Sequence, residues 1–322
     1  MIQNINKSIF LAVIGLGLIS CAKEEVESNK TKQERVLDAY IAEYCPSAKK
    51  QENGLTIIDY IQGVGDEVEN YNAIYVNYTS KTLAGVYKET TNEELSKVLG
   101  TYSNSTYYGP KLFEIGYGTT YSGLEELFIG MKEGGKATAI IPPWLTTKYY
   151  SNNWTETNNF ICEVEVVDVI KDMVEYQADT MKRYAQTHYP GLDTTSSGFY
   201  FKELKDVSKD TLKSGSVSVY YVGKLLNGFV FDTNIADTAK KYKIYNSSSS
   251  YTPLSVTIDE DLKTMTNNNN LVEGFCKAIQ KMSYGDEAFT MFSSDYGYAA
   301  NGNGQIGPYQ PLIFWLYIEP ND

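Results

Sequence analysis

Histidine is almost missing from this chain: His188 is the single copy among 322 residues. A Ser-His-Asp or Cys-His site could be built only around it. A histidine-rich zinc site cannot be built at all. Most hydrolase chemistry is therefore disfavoured. His188 stands at helical spacing from Met181, Tyr184 and Ala185, which predicts a packing role. Positive charge is in deficit as well. Lys and Arg number 28 against 40 Asp and Glu, a net charge of -12, and binding a phosphate backbone needs clustered cations; no nucleic-acid partner is expected. Long apolar runs are also lacking. The one run of note, Ile9 to Ile19, falls below the roughly 20 residues that a spanning helix requires.

That short run follows Lys7 and reads as the core of a signal peptide. It ends in Leu18-Ile19-Ser20-Cys21, which resembles the lipobox of bacterial lipoproteins. The resemblance implies that residues 1–20 are removed, that Cys21 becomes an acylated N-terminus, and that the protein is an outer membrane lipoprotein. An ordinary secretory signal with an incidental cysteine is the competing reading. Residues 21–32 would form a tether. Within it Ala22-Lys23-Glu24-Glu25 resembles the surface-export signal of Bacteroidetes lipoproteins, although a solvated charged tether would have the same composition. Cys45, Cys162 and Cys276 are then left, far apart and odd in number. They form no disulfide framework and suit roles as buried small hydrophobes.

The chain repeats itself. Val36, Leu37, Tyr40, Ile41 and Tyr44 fall on one helical face, as do Met181, Tyr184, Ala185 and His188. Each helix is expected to stop before a proline, Pro46 and Pro190, which disfavours helical geometry in the residue preceding it. A turn and a strand follow, Asn53-Gly54-Leu55-Thr56-Ile57-Ile58 and Ser197-Gly198-Phe199-Tyr200-Phe201. Pro46 and Pro190 are as far apart as Gly54 and Gly198. Farther on, Ile74 to Tyr78 parallels Val217 to Tyr221 in strand composition. Gly123 to Met131 parallels Gly274 to Met282 as a short amphipathic helix, and apolar strands close each copy at Phe160 to Ile170 and Leu312 to Ile318. This order predicts an α+β fold with two tandem domains, residues 33–170 and 171–322. Each would be an antiparallel sheet wrapped on a short helix, with a longer helix preceding it.

The second copy carries the chemistry. Tyr221-Val222-Gly223-Lys224-Leu225-Leu226-Asn227-Gly228-Phe229-Val230-Phe231-Asp232-Thr233 resembles the FKBP segment in which a tyrosine strand turns through Asn-Gly into Phe-Asp. Pro253-Leu254-Ser255-Val256, Leu271-Val272-Glu273-Gly274-Phe275, Met282-Ser283-Tyr284-Gly285-Asp286 and Asp295-Tyr296-Gly297-Tyr298 follow in the family's order, with Ile306 and Phe314 closing it. The resemblance spans about residues 198 to 318, with Phe275 where the family commonly has tryptophan. It implies a peptidyl-prolyl cis-trans isomerase acting on proline-containing polypeptides.

These residue types suit that reaction. Rotation about an Xaa-Pro bond meets a barrier of roughly 18–20 kcal/mol that arises from amide resonance. Water favours the charge-separated planar form, so a dry aromatic pocket favours the twisted one. Neither cofactor nor metal is required. The resemblance makes Tyr221, Phe231, Leu254, Leu271, Val272, Phe275 and Phe314 the apolar walls and places Ile306 in a loop over them. Tyr298 and the backbone N–H of Val272 would hold substrate carbonyls, and Asp232 would orient Tyr221 or polarise the pocket. Aromatics at alternating strand positions also suit plain core.

Two polar stretches, Thr233 to Thr252 and Asp259 to Asn270, read as surface loops beside the pocket. The first copy has Tyr87-Lys88-Glu89 for Phe231-Asp232, Leu124 for Phe275, Cys162 for Phe314, and Pro143-Trp144-Leu145-Thr146-Thr147 for the tyrosine loop. It is expected to keep the fold without a competent site. Trp144, Tyr149, Tyr150 and Trp154 form an aromatic group that could bind a partner or glycan, or simply pack its loop. A non-catalytic surface binding or chaperone lipoprotein is the alternative to an isomerase.

Overall fold

The computed structural model describes residues 27–147, 156–194, 198–207, 211–258 and 271–321. Cys21 with its flanking segments, Tyr149, Tyr150, Trp154 and the stretch 259–270 lie outside them.

Two antiparallel sheets are built to one plan. In the first half, α1 (Asn29–Tyr44) leads into β1 (Lys49–Lys50), β2 (Thr56–Ile61), β3 (Ala73–Thr82), β4 (Tyr87–Thr90), α2 (Glu93–Val98) and β5 (Lys111–Glu114). Helix α3 (Ser122–Phe128), β6 (Lys136–Ile141) and β7 (Phe160–Ile170) complete it. The second half runs α4 (Met173–His188), β8 (Phe199–Lys205), β9 (Gly215–Leu225), β10 (Val230–Thr233), α5 (Ala236–Lys241), β11 (Leu254–Ile258), α6 (Glu273–Ile279), β12 (Glu287–Phe292) and β13 (Leu312–Ile318). The first sheet is ordered β2-β6-β7-β3-β4 with β5 also on β3, and β1 added at its edge. The second is ordered β8-β12-β13-β9-β10 with β11 also on β9. Apart from β1, every strand has a counterpart with the same neighbours.

Each sheet buries both faces. One face closes on the short helix: Leu124, Leu127 and Phe128 of α3 join Val76, Ile141 and Val164. Phe275, Ala278 and Ile279 of α6 join Val219, Phe292 and Phe314. The other face takes the long helix. Leu37 of α1 meets Ile140 and Ile161, and Met181 and Ala185 of α4 meet Tyr200, Phe289, Met291 and Ile313. The long helices start on side-chain caps, Ser28 accepting from Thr31 N–H and Asp172 from Val174 and Glu175 N–H. They end at Tyr44 and His188, before the prolines.

Three expectations need correction. His188 is exposed, its ring tilted against that of Tyr184 at 4.3 Å, because it lies in the last turn, where α4 projects its side chain into solvent. On α1, Val36 and Tyr44 are exposed, while the polar Gln33 is buried. Asn159 satisfies Gln33: its backbone N–H and its amide donate to Gln33 Oε1 at 3.1 and 3.0 Å, and the amide also reaches the Gln33 carbonyl at 2.9 Å. Third, Cys45 and Cys162 are buried but Cys276 is only partly so.

Candidate active site

The site is set by a β-bulge. Strands β9 and β10 pair Lys224 with Val230 and then Gly223 with Asp232, so Phe231 is the extra residue. A bulge redirects a side chain. Here it turns Phe231 inward (9% exposed) onto Phe314 at 5.7 Å, edge to face. The hairpin feeding the bulge is tight: Gly228 N–H donates to the Leu225 carbonyl, and Gly228 takes φ +91°, which glycine adopts without a Cβ clash.

Gly223, opposite Phe314 in the β9–β13 register, leaves the space that these rings fill. A Cβ there would stand 2.5 Å from Phe231 Cε2 and 2.9 Å from Phe314 Cε1. Gly274 does the same for α6: a Cβ would fall 2.3 Å from Phe292 Cγ. Phe275 thereby reaches Phe314 at 5.2 Å and Tyr221 at 5.8 Å, both edge to face. Such geometry is favoured between aromatic rings. Leu254, Leu271 and Val272 are half-buried against the same cluster, and Ile306 is buried within it. Val272 is the N-cap of α6, its carbonyl accepting from Phe275 and Cys276 N–H.

Polar groups rim the rings. The Tyr221 hydroxyl donates to exposed Asp232 Oδ2 at 2.8 Å. Burial, reinforced by the Asp232 charge and hydrogen bond, pushes the Tyr221 hydroxyl far above the ordinary tyrosine range. The Tyr298 hydroxyl is half-buried and also pushed up, first by burial and then by Asp232, against a hydrogen bond with Asn303. Two neutral phenols thus stand beside one carboxylate. All ten residues assigned from the sequence therefore belong to one cluster or its rim.

Several contributors escaped the sequence reading. Gly223 in mid-strand signals a close approach. Asn234, inside the stretch read as a surface loop, is buried (5% exposed). Its Oδ1 accepts from Tyr221 N–H at 2.9 Å, and its amide donates to the Val219 and Thr252 carbonyls at 2.8 and 3.1 Å. That stretch also forms α5, so it is only partly loop. Among the described residues Glu203, Asp206 and Asp286 bring carboxylate oxygens within 4.8 Å of one another. Asp286 already accepts backbone N–H groups from Ser283 and Val207.

The first sheet keeps the scaffold but has no phenylalanine at the three counterpart positions. Its β3–β4 ladder pairs Ser80 with Glu89 and Lys81 with Tyr87, so the same bulge carries Lys88, which is exposed. Ser80 faces Cys162 in register, as Gly223 faces Phe314. Tyr78 N–H is held by Thr91 Oγ1 at 2.9 Å, the counterpart of Tyr221 on Asn234. Glu89 pairs with Lys111 at 2.7 Å, whose ammonium lies 5.7 Å over the Tyr78 ring. Trp144 is half-buried and donates from Nε1 to the Asn53 carbonyl at 2.6 Å; the other three residues of the aromatic group lie outside the described residues.

Residues 208–318 match the family model for FKBP-type peptidyl-prolyl cis-trans isomerase. The second half is thus similar to FKBP-type domains. The chain is 29% identical over 126 residues to a probable FKBP-type peptidyl-prolyl cis-trans isomerase FkpA of Neisseria meningitidis, covering 38% of each chain. It is 38% identical over 60 residues to FK506-binding protein 1B of Neurospora crassa, covering 18% of this chain and 53% of that one. The chain thus spans about two fifths and one half of these curated relatives. A solved isomerase from Pseudomonas syringae shares 23% identity, with 46% of this chain and 91% of that one covered at a TM-score of 0.32.

Proposed function

We propose that the second domain is a peptidyl-prolyl cis-trans isomerase assisting the folding of exported proteins, and that the first keeps the fold without turnover. The observation that carries this reading is the closed aromatic cluster of Phe231, Phe275 and Phe314, with the Tyr221–Asp232 pair and the Tyr298 hydroxyl at its rim. A proline ring placed on those aromatics would lose water, which removes the solvent stabilisation of the planar, charge-separated amide. The Tyr298 hydroxyl and the Val272 N–H would donate to the flanking carbonyls, holding the chain on either side while the bond turns. The Tyr221–Asp232 pair would fix the opposite wall. In the first sheet, exposed Lys88 and the Lys111–Glu89 ion pair stand where an apolar surface would be needed.

The test is isomerisation of a short Xaa-Pro peptide by the full chain, beside Asp232→Ala and Tyr298→Phe. The full chain should accelerate the reaction. Removing a hydrogen bond to a charged or buried partner costs about 1–3 kcal/mol, so each variant should lose roughly 5- to 150-fold in kcat/KM. A folded chain that accelerates nothing rejects the isomerase reading in favour of a non-catalytic binding or chaperone lipoprotein.

Export and anchoring through Cys21, with placement at the outer membrane and display at the surface, complete the proposal. Their support is the Lys7 to Cys21 segment and the Lys23-Glu24-Glu25 run. Labelling with an alkyne fatty acid should mark the parent protein and fail on Cys21→Ser. Protease treatment of intact cells would report the surface face.

A further inference from the structure

Beside the aromatic cluster, the two domains share a cavity of about 300 Å³ whose lining includes Tyr102, Tyr107 and Tyr108 from the first and Asn227, Phe229 and Tyr242 from the second. We propose that this cleft is a second binding site for polypeptide clients, taking the extended chain that flanks the proline; the proposal rests on the isomerase reading of the adjoining site.

The cleft is built, not incidental. The first-domain segment after α2 is stiffened by its own contacts: Tyr102 stacks on Tyr108 at 5.4 Å, and the Tyr108 hydroxyl accepts from Ser103 N–H at 3.1 Å. Tyr107 crosses to the second domain, packing on Phe229 at 5.7 Å and pairing its hydroxyl with Asn227. Gly109 permits that pose, since a Cβ there would fall on the Tyr107 hydroxyl. The segment also holds the loop over the rings: Gln305, next to Ile306, donates to the Ser105 carbonyl at 2.9 Å. Gln310 donates to the Tyr75 hydroxyl at 2.9 Å, and the Tyr309 hydroxyl donates to Glu114 at 3.3 Å.

Two observations identify the occupant. Aromatic rings stay open on opposite walls, Tyr102 at 37% and Tyr242 at 43% exposure, in a cleft that also offers Glu93, Asn104 and Asn227. Apolar rings with a few polar groups are the usual make-up of a recognition site. The cleft also adjoins the aromatic cluster through β10. Val230 lines it, and Asp232, two residues on and across the bulge, rims the rings. A chain bound at its proline would need only a few further residues to enter.

The test compares Tyr102→Ala/Tyr242→Ala with the parent full-length chain. One substrate is a short Xaa-Pro peptide. The other is permanently unfolded ribonuclease A, its cysteines reduced and carbamidomethylated, followed by fluorescence anisotropy for binding and by turnover at its prolines. The expected result is unchanged turnover of the short peptide and about tenfold weaker binding of the unfolded protein, restored by Phe at both positions. Unchanged binding of the unfolded protein overturns the proposal. So does an equal loss on both substrates, which would make the two tyrosines supports of the pocket. If the parent turns over neither substrate, the isomerase reading fails. The anisotropy comparison still decides the cleft: weaker binding by the double variant supports it, and equal binding overturns it.

Discussion

Gly223→Ala tests how the site is packed. The added methyl would stand 2.5 and 2.6 Å from two carbons of Phe231 and 2.9 Å from Phe314. These are ring atoms of buried side chains, Phe231 resting on Phe314 and Phe314 held by Phe275 and Phe292, so no flexible end can swing away. The rings must retreat by about 1 Å to reach ordinary contact. Overpacking of this kind costs about 1–3 kcal/mol. Alanine recovers about 0.5–1 kcal/mol through its lower backbone entropy, which leaves the second domain about 1–2 kcal/mol less stable. At about 2–4 °C per kcal/mol for a domain of this size, calorimetry should show its transition lowered by about 2–8 °C.

Turnover should suffer more than stability. A misplacement of about 1 Å among groups that contact substrate can cost on the order of a hundredfold, so kcat/KM for the short peptide should fall by about 10- to 100-fold. The double variant Gly223→Ala/Phe231→Leu makes room for the methyl. It should recover most of the stability and little of the activity, because the ring itself is needed. A single variant as stable and as active as the parent would refute the argument that Gly223 exists to admit the two rings.

Asn234→Ala strands the Tyr221 N–H and two carbonyls that Asn234 serves, and chemical denaturation should show a loss of about 2–4 kcal/mol; a loss below about 1 kcal/mol would return this segment to the status of a loop. Gln33→Ala leaves buried Asn159 without its main partner, so the first domain's transition alone should weaken by about 1–3 kcal/mol. Burial raises the hydroxyls of Tyr75, Tyr78, Tyr176 and Tyr221 above their ordinary range. Unfolded tyrosines ionise near pH 10, so the stability these four contribute is intact below about pH 10 and is lost as pH rises toward the higher folded values. Tyrosinate absorbance should therefore lag in the folded chain and complete only on alkaline unfolding; full titration near pH 10 with the fold intact would contradict this.

The two copies differ by coupled exchanges rather than by scattered decay. Where β9 has Gly223 opposite Phe314, β3 has Ser80 opposite Cys162. A larger residue on one strand accompanies a smaller one on its neighbour, which keeps interior density near that of a packed solid. The bulge survives in both, yet Lys88 points out where Phe231 points in. With the ring gone, Glu89 is paired by Lys111 rather than by a tyrosine hydroxyl. The first domain therefore reads as a scaffold repacked with Lys88, Leu124 and Cys162 in place of Phe231, Phe275 and Phe314.

That repacking also explains what the sequence could and could not disclose. Strand and helix order, the proline stops and the residues of the aromatic cluster were legible because they depend on local period and on a motif with fixed spacing. Met181 and Ala185 were assigned to the right face of α4 for the same reason. What local pattern did not disclose concerns partners across space. Gln33 is polar and buried because Asn159, far along the chain, supplies its hydrogen bonds; nothing near Gln33 announces that. Asn234 sat among serines, threonines and lysines and looked solvated, yet three backbone groups of other strands converge on it. The inward turn of Phe231 depends on a register shift that composition alone does not reveal, since alternation would have placed it by parity with Val230. Tyr107 is the plainest case: it belongs to the first domain by sequence and packs with the core of the second. Local pattern fixes which elements form, while identity at a packed or hydrogen-bonded position is fixed by whatever the fold brings opposite it. A glycine in mid-strand, or a polar residue flanked by strands, is the trace such a constraint leaves in sequence, and Gly223 and Asn234 both carry it.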